Sequence, residues 1–229
     1  TGLTYTNAIA LASTTTGILT IGNSGTAISV SFSGGVTGTN NLTINSNATT
    51  GTITVLTTAV NNTGTVTNIG AGSGLTTISA AVGTNVTQVI ENSTTSALTV
   101  SGAVTVGATG KTFTNSNASG SSLLTVSGGI TGTGNVVLNN NSAIASGITV
   151  SGTTLNNTGT VTNSGTGSGV TLISAAVDTN VTTVTENSTT SALTVSGAVT
   201  VGATNKTFTN SNASGSSLLT VSGGITGTG

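Results

Sequence analysis

Apolar and polar residues alternate in short runs along the whole chain. Three such runs are Leu98–Ser101, Ala103–Gly107 and Lys111–Asn115, and they are separated by Gly, Ser and Asn. Alternation with a period of two places aliphatic side chains on one face of a strand and hydroxyl groups on the other. The pattern therefore predicts short, half-buried β-strands. Gly, Thr, Ser and Asn dominate and no 3.6-residue period survives, which disfavours helices.

The strand-like runs recur about every 24 residues. The segment from Leu98 to Gly102 is echoed from Leu124, from Ile148, from Val170 and from Leu193, and the same mark begins at Leu3, Val30, Ile53 and Leu75. One coil of three short strands cannot bury its apolar face alone, whereas coils stacked ~4.8 Å apart bury it together. The sequence predicts an all-β fold, a single-stranded parallel β-helix (β-solenoid) of about nine to ten coils with three short strands per coil.

A longer period organises the coils. Residues 61–134 return almost letter for letter at 156–229, a shift of 95 positions that spans four coils, and residues 3–60 are a diverged copy. No linker is visible, so residues 1–229 are expected to form one continuous solenoid. Tandem immunoglobulin-like sandwiches of about 95 residues are the competing interpretation. They usually centre on a buried Trp, which this chain lacks, and they leave the 24-residue echo unexplained.

Stacking like residues over like predicts three sets of positions. The predicted core contains Leu98, Val100, Phe113, Leu124, Val126, Ile148, Val150, Leu193, Val195 and Phe208. A structural ladder of asparagine amides bonded to one another is predicted where the third strand of a coil ends, at Asn68, Asn115, Asn139, Asn163 and Asn210, with Glu91 and Glu186 near this place in the fourth coil type. An outward threonine array is predicted at Thr65, Thr67, Thr112, Thr114, Thr160, Thr162, Thr183, Thr185, Thr207 and Thr209.

The threonine array has two interpretations. Threonine is a good polar residue for an exposed strand, which needs no further function. Regular Thr-x-Thr arrays on a flat solenoid face also resemble those of ice-binding proteins. Val137 with Asn139, and Gln88 with Ile90, interrupt the array.

Composition narrows the possible partners. Only 2% of the residues are charged, the net charge is −1 and there is no Cys. With two lysines no basic patch for nucleic acid can form, and disulfides are excluded. Apolar runs fall far short of the roughly 20 residues that cross a bilayer as a helix, so we expect no membrane insertion by this segment.

Few residues could support catalysis or bind a cofactor or metal. There is no His or Cys for a nucleophilic triad, and the acids are Glu91, Asp178 and Glu186. Glu91 and Glu186 should lie four coils, or roughly 19 Å, apart, whereas paired glycosidase carboxylates need about 5–9.5 Å. Lys111 and Lys206 are expected to be solvated charges at strand edges. We expect no catalytic residue, no cofactor, no metal site and no enzymatic activity.

The segment Leu124–Leu138, with its Leu-Thr-Val-Ser-Gly-Gly-Ile-Thr-Gly-Thr-Gly opening, resembles the autotransporter-associated β-strand repeat. Val30–Ile44 and Leu219–Gly229 carry partial copies. The Lys-Thr-Gly-x-Gly-Thr-Leu phrase common in that family is absent. The resemblance implies a parallel β-helix passenger of a bacterial surface adhesin, secreted and displayed outside the cell, and it transfers no binding residue.

Three functions follow as hypotheses. The first is an extracellular structural fibre or stalk at the bacterial cell surface, built by coil-on-coil stacking, with further copies of itself as the partner. The second is an adhesin segment that binds a glycan or a host surface, for which Tyr5 is a weak outward aromatic candidate. The third is ice binding.

Overall fold

The alternating runs form strands, and each strand pairs in parallel with its counterpart one coil away. The computed structural model describes residues 2–13 and 17–228; Thr1 and Gly229, the ends of the predicted solenoid, lie outside the described residues. The described residues form 27 strands and no helix. The predicted all-β parallel solenoid is confirmed.

Three sheets form the sides of the solenoid. The ten-stranded sheet contains Leu3–Tyr5, Val30–Phe32, Ile53–Val55, Thr76–Ile78, Leu98–Val100, Leu124–Val126, Ile148–Val150, Thr171–Ile173, Leu193–Val195 and Leu219–Val221. The nine-stranded sheet contains Leu19–Asn23, Leu42–Ser46, Gly64–Ile69, Val86–Glu91, Lys111–Asn115, Val136–Asn140, Gly159–Asn163, Val181–Glu186 and Thr207–Asn210.

The third side begins as a two-stranded sheet of Ile9–Leu11 and Val36–Gly38. Isolated bridges from Val36 to Val60, from Val60 to Val82 and from Val82 to Val104 carry it onward. It continues as a six-stranded sheet of Val104–Val106, Ile130–Gly132, Thr154–Asn157, Ala176–Val177, Val199–Val201 and Ile225–Gly227.

The aliphatic residues of all three sides meet in one continuous core. Nine of the ten predicted core residues are 0% exposed: Leu98, Val100, Phe113, Leu124, Val126, Ile148, Val150, Leu193 and Val195. Phe208 is only partly buried, because its strand is the last of the nine-stranded sheet and has a neighbour on one side.

Two of the predicted coil marks are wrong by one residue. In the ten-stranded sheet Thr76 pairs with Leu98, and Thr171 pairs with Leu193. Leu75 and Val170, which precede them, are therefore not the inward residues, and Leu75 is 51% exposed. The sequence suggested the aliphatic residue as the inward one, but Thr76 and Thr171 are fully buried because partners inside the core satisfy their hydroxyl groups.

The rule that like lies over like fails twice in the nine-stranded sheet, first where Asn68 pairs with Ile44 and not with Ser46, and again at the repeat counterpart of that junction. Asn115 pairs with Asn140, but Asn163 pairs with Leu138 and not with Asn140. The register has moved by two residues at this junction. A one-residue slip would turn every inward side chain outward, so a shift by two is the smallest that preserves the core. Val136 accordingly stays opposite Val161.

We expect Gly197→Ala to lower the free energy of unfolding by about 1–3 kcal/mol, because an added methyl group overpacks a closed contact. A Cβ at Gly197 would lie 1.9 Å from the carbonyl oxygen of Ala175 in the preceding coil. Gly224→Ala is the control, since a Cβ there meets nothing within 4 Å. Urea denaturation of both variants is the measurement, and equal losses would contradict the close approach of the coils.

Candidate functional site

Buried polar side chains mark the corner where each strand of the nine-stranded sheet turns towards the ten-stranded sheet. One column joins Asn68, Glu91, Asn115 and Asn140 in consecutive coils. After the two-residue register shift a second column joins Asn163, Glu186 and Asn210. All seven except Asn210, which is exposed on the last strand, are 0% exposed. We call these positions the corner columns.

Asn139 does not belong to the predicted ladder. It pairs with Thr114 on the outer side of the sheet and is half-buried, whereas its neighbour Asn140 points inward. Strand Val136–Asn140 places Val136 and Leu138 in the core, and alternation then turns residue 140 inward and residue 139 outward. Two adjacent asparagines made the position ambiguous in the sequence.

The corner asparagines bond to the backbone and not to one another's amides. The Nδ2 group of Asn115 donates to the carbonyl oxygens of Ser122 (3.0 Å) and Gly147 (2.7 Å), while its Oδ1 accepts from the backbone N–H of Asn117. Asn140 donates to the carbonyl of Gly169 and accepts from the N–H of Ser142. Each asparagine thus satisfies buried groups of the turn that no sheet ladder reaches, a requirement for any buried backbone polar group.

Glu91 takes the asparagine position in one coil and forms a small polar cluster there. Its Oε2 accepts from Asn68 Nδ2 at 2.8 Å, and its Oε1 accepts from the backbone N–H of Ser93 at 2.6 Å. Asn68 Oδ1 in turn accepts from the hydroxyl of Thr76 at 2.7 Å. The hydroxyl of Ser96 donates to the carbonyl of Gly74 at 2.6 Å. The cluster links two successive coils through bonded groups.

The long repeat reproduces this cluster. Asn163 Nδ2 donates to Glu186 Oε2 at 2.8 Å, Ser188 N–H donates to Glu186 Oε1 at 2.6 Å, and Thr171 donates to Asn163 Oδ1 at 2.8 Å. The two glutamates lie four strands apart in the nine-stranded sheet, roughly 19 Å at ~4.8 Å per strand. They therefore form two separate sites and not one carboxylate pair.

Burial controls the protonation of both carboxyl groups. Loss of solvent raises the pKa of Glu91 from 4.5 to about 8, although the bonds from Asn68 and Ser93 oppose this. The same desolvation raises the pKa of Glu186, opposed by Asn163 and Ser188. A carboxyl group removed from water favours its neutral form.

The lysines differ from the expected solvated charges. Lys111 is 2% exposed, and its Nζ donates to the carbonyls of Gly83 (3.1 Å) and Val86. Burial lowers its pKa from 10.5 to about 8. Lys206, half-buried, repeats the arrangement with the carbonyls of Asp178 (2.8 Å) and Val181, and desolvation lowers its pKa, against the attraction of Asp178. Each lysine side chain thus links the start of its strand to backbone carbonyl groups of the preceding coil.

The threonine array is divided by the register shift. One outward column contains Thr65, Gln88, Thr112, Val137, Thr162, Thr185 and Thr209. A second column contains Thr67, Ile90, Thr114 and Asn139. A third column, in the coils that follow the register shift, contains Thr160, Thr183 and Thr207. Threonines that are equivalent in the repeat thus stand in different columns, and Thr114 is itself buried, at 4% exposure.

Sequence reasoning missed the serines and threonines of the cluster. Ser93, Ser96 and Thr76 all have buried hydroxyl groups. A signal was present: the segment Glu-Asn-Ser-Thr-Thr-Ser begins at Glu91 and again at Glu186 without change. Short hydroxyl side chains that directly follow an inward glutamate can bond to the backbone of the turn.

Other functional features are limited. No group of three or more His, Cys, Asp or Glu residues able to hold a metal occurs in the described part of the chain. In the same residues no helix has the length and apolar character needed to cross a membrane. Comparison with family models, with curated proteins and with solved structures finds no match. The resemblance to autotransporter repeats therefore stays a prediction.

We expect Asn140→Ala to lower the free energy of unfolding by roughly 1–3 kcal/mol, because it leaves the Ser142 N–H and the Gly169 carbonyl without their buried partner. Asn139→Ala, one residue away on the outer side, should cost no more than about 0.5 kcal/mol. Denaturant titration compares the two. A larger loss for Asn139→Ala would reverse the assignment of the inward residue.

We expect the free energy of unfolding to fall by a few kcal/mol as the pH rises from 5 to 8. Glu91 binds its proton more tightly in the folded chain, so its stabilisation is complete below pH 4.5 and is lost as the pH rises through about 8. Glu186 adds to this slope in the same direction. Lys111, with its pKa lowered to about 8, gives the opposite slope between pH 8 and 10.5.

Urea titrations at pH 5, 6.5 and 8 measure this slope. The double variant Glu91→Gln, Glu186→Gln has no carboxyl group to titrate at these corners and should lose most of it. A parent protein whose stability is constant or rises across this range would show that the carboxyl groups ionise without cost.

Proposed function

We propose that this chain is a structural rod, an extracellular fibre or stalk of a bacterial cell surface. Its function is to span a distance that the number of stacked coils sets. The observation that supports this is the continuity of the ladders. The ten-stranded sheet pairs strand to strand from Leu3–Tyr5 to Leu219–Val221, with successive partners 22 to 27 residues apart. Nine such steps at ~4.8 Å give a rod of roughly 43 Å.

The buried polar groups fit a structural role. The corner columns and the two lysines bond to backbone groups of turns inside the solenoid, and Glu91, Glu186 and Lys111 are at most 2% exposed. Such groups fix the path of the chain at a corner and present little to a substrate. With 2% charged residues, little self-repulsion opposes the association of rods. End-to-end stacking of further copies remains a prediction.

Adhesion and ice binding remain predictions as well. An adhesive coil would show outward aromatic or charged residues. Tyr5, the aromatic candidate, is not outward: it pairs with the inward residue Phe32 and stacks on it with ring centroids 5.3 Å apart. A glycan-binding screen tests adhesion. Thermal hysteresis measurements test ice binding, for which the divided threonine columns offer no single regular array.

We expect insertion of a second copy of residues 61–155 after Leu155 to lengthen the rod by about 19 Å, four strand spacings. The junction is seamless because Asn156 is the repeat counterpart of Asn61. Cryo-electron microscopy or small-angle scattering measures the long dimension. A flexible Gly/Ser insert of equal length is the control. An inserted repeat that leaves the rod length unchanged would contradict the proposal.

A further inference from the structure

The outer surface of the ten-stranded sheet is a grid of three columns. The middle column contains Thr4, Ser31, Thr54, Thr77, Thr99, Thr125, Thr149, Leu172, Thr194 and Thr220. The residue two positions later is Ser in most coils, as at Ser79, Ser101 and Ser127, and its N–H continues the ladder to the preceding coil. This surface contains none of the five charged residues of the chain.

The third column precedes the strands and is apolar over seven successive coils. We call it the leading column; from Leu75 onward its members are Leu75, Ala97, Leu123, Gly147, Val170, Ala192 and Leu218. The carbonyl oxygens of these residues accept hydrogen bonds from backbone N–H groups one coil earlier. Leu123 accepts from Leu98, and Leu218 accepts from Leu193. Buried residues such as Ser96 and Leu98 flank the column members, which are partly or largely exposed except Gly147.

Side-chain size alternates along the leading column. Leu75, Leu123, Val170 and Leu218 are large, and Ala97, Gly147 and Ala192 between them are small. Because strands repeat every ~4.8 Å, large side chains recur about every 9.6 Å with a gap between them. Leu75 is 51% and Leu218 66% exposed. A row of half-buried and exposed apolar residues on an uncharged face indicates an interaction surface.

We propose that the leading column pairs with the same column of a second copy of this chain, side by side and antiparallel. A two-fold axis across the rods places leading column against leading column. With the axis between the coils of Gly147 and Val170, the six members from Ala97 to Leu218 pair large against small, and Leu75 lies outside the overlap. Leu123 then faces the partner's Ala192, Val170 faces the partner's Gly147, and Leu218 faces the partner's Ala97.

The absence of charge favours this occupant, and the small area predicts a weak pair. The contact brings two copies of the same face together, and a face without charge incurs no like-charge repulsion. The grid is about 13 Å wide, and this axis overlaps six coils, about 29 Å of its height, which is roughly 380 Å² per copy. Stable interfaces average about 800 Å² per partner, so the pair is weak and forms at high local concentration. Identical strand spacing keeps the two columns matched across the six coils that overlap.

The proposed pairing rests on the rod of the proposed function, but rod length and pairing can be refuted by separate experiments. Rod length can follow repeat number in a chain that never pairs, and a pair can form whatever the rod is used for. Sedimentation equilibrium over a wide concentration range measures association, while denaturation midpoints show that each variant is folded.

We expect concentration-dependent dimers of the parent chain and at least about tenfold weaker association for Val170→Asp, which buries an unpaired charge in the contact. Val137→Asp is the matched control, because Val137 is a half-buried, outward valine on the nine-stranded sheet. It should associate like the parent.

An exchange of large and small residues tests the orientation. Ala192→Leu places leucine against the partner's Leu123 and should weaken pairing, and adding Leu123→Ala should restore it. Monomers at every concentration would overturn the proposal. So would pairing that Val170→Asp leaves unchanged, since the partner would then bind another face, or failure of the double variant to recover, since the columns would not oppose each other.

Discussion

The structure depends on parallel backbone pairing between each strand and its counterpart one coil away, in a register that keeps the aliphatic residues inside. The strands are short, and a single coil has no core of its own, so the stack as a whole must bury the apolar faces. The register may change only by an even number of residues without exposing the core. The nine-stranded sheet makes such a change twice, where Asn68 pairs with Ile44 and where Asn163 pairs with Leu138. At the second junction Ile148 still pairs with Thr171 in the ten-stranded sheet.

The corners are where this constraint is most demanding. The chain must leave one sheet and enter the next without a ladder to satisfy its backbone groups, and buried groups left without partners are costly. Asparagine meets the need with one acceptor and two donors on a short side chain. Glutamate at position 91 accepts two bonds but remains desolvated, which raises its pKa to about 8. The asparagine column therefore tolerates a carboxyl group at the cost of a stability that depends on pH.

The sequence allowed the fold to be predicted because period-two alternation and the 24-residue echo are global signals. Residues such as Leu124 and Ile148 are inward in any register that preserves the pattern. It did not allow Thr76 or Asn140 to be assigned correctly. Both depend on which of two adjacent residues points inward, and that choice is made by hydrogen-bond partners from other coils. The burial of Lys111 could not be predicted for the same reason, since its carbonyl partners lie in the preceding coil.

Cysteine trapping tests the coil-to-coil register most directly, because the natural chain contains no cysteine. Val137 pairs with Thr162 in the neighbouring coil, and paired Cα atoms in adjacent strands lie within the range that a disulfide spans. The account predicts rapid oxidation of a variant carrying Val137→Cys and Thr162→Cys, and slow oxidation when Thr160→Cys replaces Thr162→Cys. Efficient bonding only at position 160 would contradict the register shift, and no bonding at either position would contradict the stacked coils themselves.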